Sequence, residues 1–386
     1  MKQLMIAAIA FASMWPCGGV LASAQSMDDL NLQVHGYATQ GFVYSTNNNW
    51  DTTSSTDGSA AWTEAVVNLT AQPQSRLRVG VQARYFLLGN YGNSITLDWA
   101  QADYKASDKF GFRVGKVKTP MGLLNESQDI DPAQLWVLLP QSVYPIASRN
   151  SLLSHYGGVA YGRLPLGEKL GTLEYRGFGG QRIIGADDGF VQPFKDQGIT
   201  VPSGFTGPLF GGTLRWNTPV QGLTMGATRD VERLSAAIYS HSMPGTLTVP
   251  ALESSYFFGR YEHNKLMVAG EYNRVILNSD IQFAGIPAIL VRYDVRGFYA
   301  MASYRLSDRL TSGLYYGSMI NLQLPVSSGR YQKDWALCAR YDFNPFLYAK
   351  IEQHIIDGTG SGFSTSDNSA LQPNTRMTML KLGVSF

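Results

Sequence analysis

The chain has 386 residues, 44% apolar, 12% aromatic and 16% charged, with a formal net charge of +2. The charged fraction lies below the roughly one quarter usual for soluble proteins, yet no segment beyond the first residues offers the run of about 20 apolar residues that a membrane-spanning helix needs. The net charge says little by itself, because the placement of charges decides what they do; no nucleic-acid partner is expected.

At the start of the chain, Lys2 supplies a positive n-region, residues 4–12 an apolar core, and Ala22-Ser23-Ala24 a small-x-small cleavage site, the three parts of a secretory signal peptide. Residues 1–24 are expected to leave and residues 25–386 to form one barrel domain. The apolar core is too short for a membrane anchor, and Met14-Trp15-Pro16 does not resemble the lipobox that Cys17 would need. With Cys17 gone, Cys338 stands alone in an exported chain, so no intramolecular disulfide can hold the fold.

From residue 33 onward apolar and polar residues alternate with period two, the mark of half-buried strands. Sixteen segments follow this rule: 33–45, 60–72, 75–88, 95–106, 109–118, 155–165, 169–179, 208–217, 222–231, 254–263, 265–277, 291–306, 309–320, 332–343, 346–357 and 375–386. In the third, Leu77, Val79, Val81, Ala83, Tyr85 and Leu87 share one face, with Arg76, Arg78, Gln82 and Arg84 on the other. The last segment divides likewise into Leu380, Leu382, Val384 and Phe386 against Lys381, Gly383 and Ser385. Short turn-forming links alternate with longer polar stretches at 46–59, 180–207 and 358–374. Export, low charge, absent spanning helices and alternation meet in one architecture, an all-β, transmembrane antiparallel barrel of about 16 strands immersed in outer-membrane lipid. The terminal aromatic Phe386 resembles the signal read by the barrel-assembly machinery, and marks that machinery as a partner.

The link between the fifth and sixth strands is long and too apolar for a surface loop, with Leu135-Trp136-Val137-Leu138-Leu139-Pro140 at its centre. Such a loop packs inside its own scaffold, so this third long connection is expected to fold into the lumen. Arg78, Arg84, Arg113, Lys116 and Lys118 would then form a basic wall facing an acidic loop of Glu126, Asp129 and Asp131. Opposed rows of charge around a narrow point are an ordinary means of selectivity in pores. The same charges could instead pair structurally within a polar lumen.

Gly115-Lys116-Val117-Lys118-Thr119-Pro120-Met121-Gly122 resembles the Gly-Lys-x-Lys-x-Pro-x-Gly region that ends a strand in outer-membrane porins of the phosphate-selective O/P-like class. The resemblance implies a passive diffusion channel for ions and small hydrophilic solutes, narrowed by the loop after the fifth strand, and a homotrimer. The dense Lys and Arg clustering that phosphate selectivity requires is not evident here. Two other readings stay open, a membrane-embedded lipase- or protease-type barrel, favoured by a strand count near ten or twelve, and a closed structural or adhesion barrel with large, mutually paired inward residues.

No cofactor or metal is expected. His35, His155, His241, His263 and His354 are scattered without ligand spacing, and neither Asp187-Asp188-Gly189 nor Asp129-Ile130-Asp131 shows a spaced calcium-ligand set. Tyr37, Tyr44, Tyr85, Trp99, Trp216, Trp335, Tyr341 and Phe386, near strand ends, read as an aromatic girdle at the membrane interfaces.

Overall fold

The structure, a computed structural model, describes residues 30–386; the expected signal peptide and its cleavage site lie outside the described residues. In chain order the strands are β1 (Gln33–Ser45), β2 (Ser59–Gln74), β3 (Leu77–Leu88), β4 (Tyr91–Lys105), β5 (Gly111–Lys118), β6 (Ser154–Gly167), β7 (Gly171–Ile184), β8 (Ile199–Thr200), β9 (Phe205–Asn217), β10 (Leu223–Ser240), β11 (Met243–His263), β12 (Leu266–Phe283), β13 (Ile289–Arg305), β14 (Leu310–Asn321), β15 (Tyr331–Asp342), β16 (Leu347–Gly358) and β17 (Asn374–Ser385). β8 is a two-residue strand within the β7–β9 connection, paired to the end of β10. The other sixteen form an antiparallel barrel that closes where β17 pairs with β1, Tyr37 opposite Ser385. Closure gives the ladder partners that a spanning sheet cannot find in lipid.

Each expected strand is present, with the expected faces. In β17, Leu380, Leu382 and Val384 point outward and are exposed, whereas Met377, Met379 and Lys381 are buried inside. In β3, Gln82, Arg84, Phe86 and Leu88 are buried on the lumen side. The barrel has a turn end, with the links after β2, β4, β6, β9, β11, β13 and β15, and a loop end.

The loop end departs from a simple series of long loops. β10 and β11, expected to stop near 231 and to begin near 254, run on to a two-residue hairpin at His241 and Ser242, both with positive φ. β12, expected to stop near 277, likewise runs on to Phe283, whereas β13 begins within two residues of its expected start. In these extensions the polarity inverts. Leu234, Ile238, Leu247 and Val249 face inward and are buried, while Arg233, Ser235, Thr246 and Thr248 are exposed outside. The connection after β7, which carries the short helix α2 (Gln192–Asp196), supplies the cover: Val191 and Val201 pack on that inner apolar face together with Phe205 at the start of β9 and with Ile281 and Phe283 of β12. Burying each such side chain stabilises the cap by about 1.5–3 kcal/mol.

The wall is incomplete at one place. Pairing of β4 with β5 ends at Ala100 and Lys116, β5 with β6 at Lys118 and Ser154, and β6 with β7 at Tyr156 and Gln181. Residues Tyr91–Trp99 of β4 and Arg182–Ile184 of β7 therefore face each other without the two strands that would lie between them, a span of roughly 14 Å at about 4.8 Å per strand spacing. Gly115 sits at the departure point with φ +125, where an added Cβ would collide with the Ala100 carbonyl oxygen.

Candidate functional site

Residues 119–153 leave the wall at this gap and lie inside the barrel. The segment starts with Thr119-Pro120 and turns at Gly122, which has φ +62. Its backbone is gripped by inward side chains around the lumen. The Thr213 hydroxyl donates to the Pro120 carbonyl, and the Gly122 and Leu123 amides donate to Thr228 Oγ1 at 3.1 Å and Glu271 Oε1 at 3.0 Å. On the opposite side the Tyr37 hydroxyl donates to the Asp129 carbonyl at 3.2 Å, and the Val137 and Leu138 amides donate to Glu352 at 2.9 and 3.2 Å. The apolar run that marked the loop in the sequence does what its composition requires. Trp136 packs with Tyr315, ring centroids 5.1 Å apart, in a cluster with Met121, Leu124, Tyr256, Tyr299 and Cys338. The loop returns to the wall through the short helix α1 (Arg149–Leu153), where Arg149 binds Asp98 through both Nη1 and Nη2, at 2.9 and 2.8 Å.

The eight charged candidates fall into three places. Arg113, Lys118, Glu126 and Asp129 meet: Lys118 Nζ lies 2.6 Å from Asp129, and Arg113 lies 3.0 Å from Asp103 and 3.3 Å from Glu126. Arg78 lies beyond them toward the turn end, its nearest partner Thr70 Oγ1 at 3.5 Å. This group lines a cavity of about 590 Å³. Arg84 and Asp131 sit deeper. Arg84 binds Glu64 at 2.5 Å, and Asp131 takes the ammonium groups of Lys350 and Lys381, each at 2.9 Å, and the Tyr348 hydroxyl at 2.7 Å. Between them the loop curls around a cavity of about 60 Å³ lined by Glu64, Arg84, Trp136, Arg149 and Lys381, small beside the cavity of about 590 Å³.

Lys116 lies elsewhere. It is opposite the exposed Tyr156, its amine donates to the Leu97 carbonyl and lies 5.5 Å from the Tyr156 ring, so it belongs to the outer face at the wall gap. A cavity of about 330 Å³ there is lined both by the exposed Leu97, Tyr156 and Ile183 and by the buried Arg84, Phe86 and Asp98.

A basic wall opposed to an acidic loop across open space is not the arrangement found. Each of the three loop carboxylates contacts its cation directly, because a carboxylate taken out of water needs a partner. Burial alone would raise the Asp131 carboxyl, but Lys350 and Lys381 outweigh it and hold the group well below the usual carboxylate range. The pairing also occupies Asp129 and Asp131, leaving neither free for calcium.

Several residues of the site escaped sequence reasoning. Lys350 and Lys381 occupy inward positions of strands that were recognised, but alternation does not say which inward lysine meets the loop. Arg176, bound to Glu126 at 2.6 Å, and Arg182, bound to Glu232 at 2.8 Å, lie at alternate positions of β7, and Arg182 falls beyond the expected end of that strand. Two members of the expected girdle turn inward instead. Tyr37 and Trp99 are buried, and the Trp99 indole donates to Asp129 at 3.1 Å. A bulge in β4 at Asp98 and Trp99 brings both side chains to the lumen. His354 is buried between Asp334 and Glu352, at 2.9 and 2.8 Å.

No protein-family model matches the chain, and no curated protein sequence does. Among solved structures it is similar to the anion-selective porin from Comamonas acidovorans, with 9% identity over 92% of this chain and 99% of that one and a TM-score of 0.57. The outer membrane channel DcaP of Acinetobacter baumannii aligns at 11% identity over 95% and 100%, with a TM-score of 0.56. The trimer form of OmpT, an outer membrane protein of Vibrio cholerae, aligns at 11% identity over 92% and 99%, with a TM-score of 0.55. The fold is that of these outer-membrane barrels, and the closed barrel carries exposed apolar side chains such as Leu380, Leu382 and Val384 on its outer face.

Proposed function

We propose that the chain is an outer-membrane porin, a passive diffusion channel for ions and small hydrophilic solutes, constricted by the loop of residues 119–153. The observation that carries this reading is the suspension of that loop in the lumen, with cavities of about 590 and 600 Å³ beneath it and one of about 60 Å³ within its curl. Arg84 and Asp131 are assigned to the narrowest point, with Arg78, Arg113, Lys118, Glu126 and Asp129 at its approach from the turn end. Likeness to the phosphate-selective class rests on residues 115–122 alone and carries no preference for phosphate, since Lys118 is taken by Asp129.

A homotrimer accords with the wall gap. An unpaired β4 edge and an ammonium on the outer face are costly in lipid, the latter by about 2–4 kcal/mol at the bilayer midplane. A second copy of the barrel against this side would cover both. Phe386, whose backbone pairs with Gly36 at 3.1 and 3.0 Å, is assigned as the assembly signal.

A closed structural barrel is the second reading, favoured by the direct pairing of charges across the lumen. An embedded enzyme fits less well, because sixteen strands exceed the ten or twelve of such barrels. Single-channel recording in planar bilayers decides among them. Currents stepping in threes, with a reversal potential that moves toward cation preference when Arg78, Arg84 and Arg113 are neutralised, support the porin. Silence from folded, heat-modifiable protein supports the closed barrel.

A further inference from the structure

Six carboxylates inside this barrel are matched with cations: Glu64, Asp98, Glu126, Asp129, Asp131 and Glu232 each lie within salt-bridge distance of a Lys or Arg. Asp230 differs. Its side chain faces inward from β10 and is 1% exposed, yet neither carboxylate oxygen has a hydrogen-bond partner and no salt bridge reaches it among the described residues. Leaving an ionised carboxylate buried and unpaired costs several kcal/mol, so such a group points to a missing ligand.

The neighbours define its chemistry. Asp230 stands opposite Ser254, and the next inward rung toward the turn end holds Thr228 and Tyr256, with Tyr256 opposite Asn273. Asn273 Oδ1 is also unpartnered and the residue is 5% exposed. Further along the same wall, Glu271 accepts hydrogen bonds only from the Leu123 amide and the Tyr144 and Tyr299 hydroxyls, all neutral donors. The unused groups of Asp230 and Asn273 are thus acceptors. A ligand that satisfies them brings N–H donors and positive charge. The donor set is one unpaired carboxylate with neutral oxygens, and no group of three His, Cys, Asp or Glu that could hold a metal occurs among the described residues. That favours a singly charged ammonium over a divalent metal ion.

We propose that the β10–β12 wall carries a binding subsite for the protonated primary amine of a small solute, with the ammonium on Asp230 and Asn273 as a second acceptor. The lumen loop is bound at Thr228, one rung nearer the turn end, so the subsite lies on the loop-end side of the constriction, where a solute from outside arrives first. As a route for solutes the subsite rests on the channel reading; as a binding site it does not.

The test uses the folded full-length mature barrel with methylammonium chloride as the probe and tetramethylammonium chloride, which has no N–H donor, as its comparison. Methylammonium is expected to raise the thermal transition of the wild type more than tetramethylammonium does, and Asp230→Asn to abolish the difference. In bilayers the same substitution should lower the methylammonium-to-chloride permeability ratio several-fold. Equal stabilisation by both salts, or an unchanged response in Asp230→Asn, overturns the subsite. Methylammonium-specific stabilisation without any current retains the subsite and defeats the channel, whereas current with no effect of Asp230→Asn does the reverse. If Asp230→Asn does not fold, Asn273→Ala read with the same salts decides, a retained difference counting against the proposal.

Discussion

The ammonium of Lys381, on the last strand of the barrel, lies 2.9 Å from the carboxylate of Asp131, 250 residues earlier in the lumen loop. Lys350 approaches the same carboxylate from the neighbouring strand at 2.9 Å, and all three side chains are nearly inaccessible to solvent. Breaking a buried pair costs about 3–5 kcal/mol when one charge is left alone. Because Lys350 remains, Lys381→Met should cost less than that, while Asp131→Asn strands two ammonium groups and should cost at least as much. Thermal unfolding of the barrel measures both, and Asp131→Asn should have the lower midpoint.

Shortening the loop probes its place in the pore. Removal of Leu123–Leu138 takes away the backbone held by Glu271 and Glu352 and should enlarge single-channel conductance. An unchanged conductance would exclude the loop as the constriction.

Gly115 sets where β5 parts from β4. Its φ of +125 lies where side chains strain the backbone, and the Ala100 carbonyl blocks a Cβ, so Gly115→Ala should destabilise the barrel by about 1–3 kcal/mol. Gly177, which has open space where a Cβ would go, provides the control. Gly177→Ala should fold in normal yield, as read by the heat-modifiable band on gels.

The loop end has a pH dependence of defined sign. Asp51 is buried among the loops after β1 and β16, its amide donating to the Gly362 carbonyl at 2.9 Å. Burial and the neighbouring Asp367 push its carboxyl up from 3.8 to about 7, and Asp367 is itself raised by burial and by Asp196. The folded loops therefore hold a proton that the unfolded chain releases between those two values. The stabilisation is complete below about 3.8 and is lost as pH rises toward 7. Hydrogen-exchange protection at residues 46–58 and 359–373, taken relative to the intrinsic exchange rate at each pH, should be greater at pH 5 than at pH 8, and Asp51→Asn should flatten the difference.

The strands were legible because a lipid-facing surface leaves its period in the sequence, as in Leu380, Leu382 and Val384. That signal reverses where the wall rises above the lipid. At Leu234, Ile238, Leu247 and Val249 the apolar face belongs to the interior, and the hairpin turns on His241 and Ser242, without the Gly or Asn that mark such turns. The loop declared its burial through Trp136, Val137 and Leu138, but the partners of its charges did not follow. That Asp131 would meet Lys350 and Lys381 while Glu126 meets Arg113 depends on the loop's path across the lumen, which no local pattern encodes. Asp230 was hidden for the same reason, since its lack of a partner is a property of the assembled wall.

The grip on the lumen loop also orders events during biogenesis. Tyr37 on the first strand and Lys381 on the last both hold it, at the Asp129 carbonyl and the Asp131 carboxylate, so neither end alone can seat it. Until the seam between β1 and β17 zips shut, the loop lacks part of its berth, and its docking reports that the ring is complete. A chain arrested before closure would leave Trp136, Val137 and Leu138, buried in the closed barrel, without part of their cover.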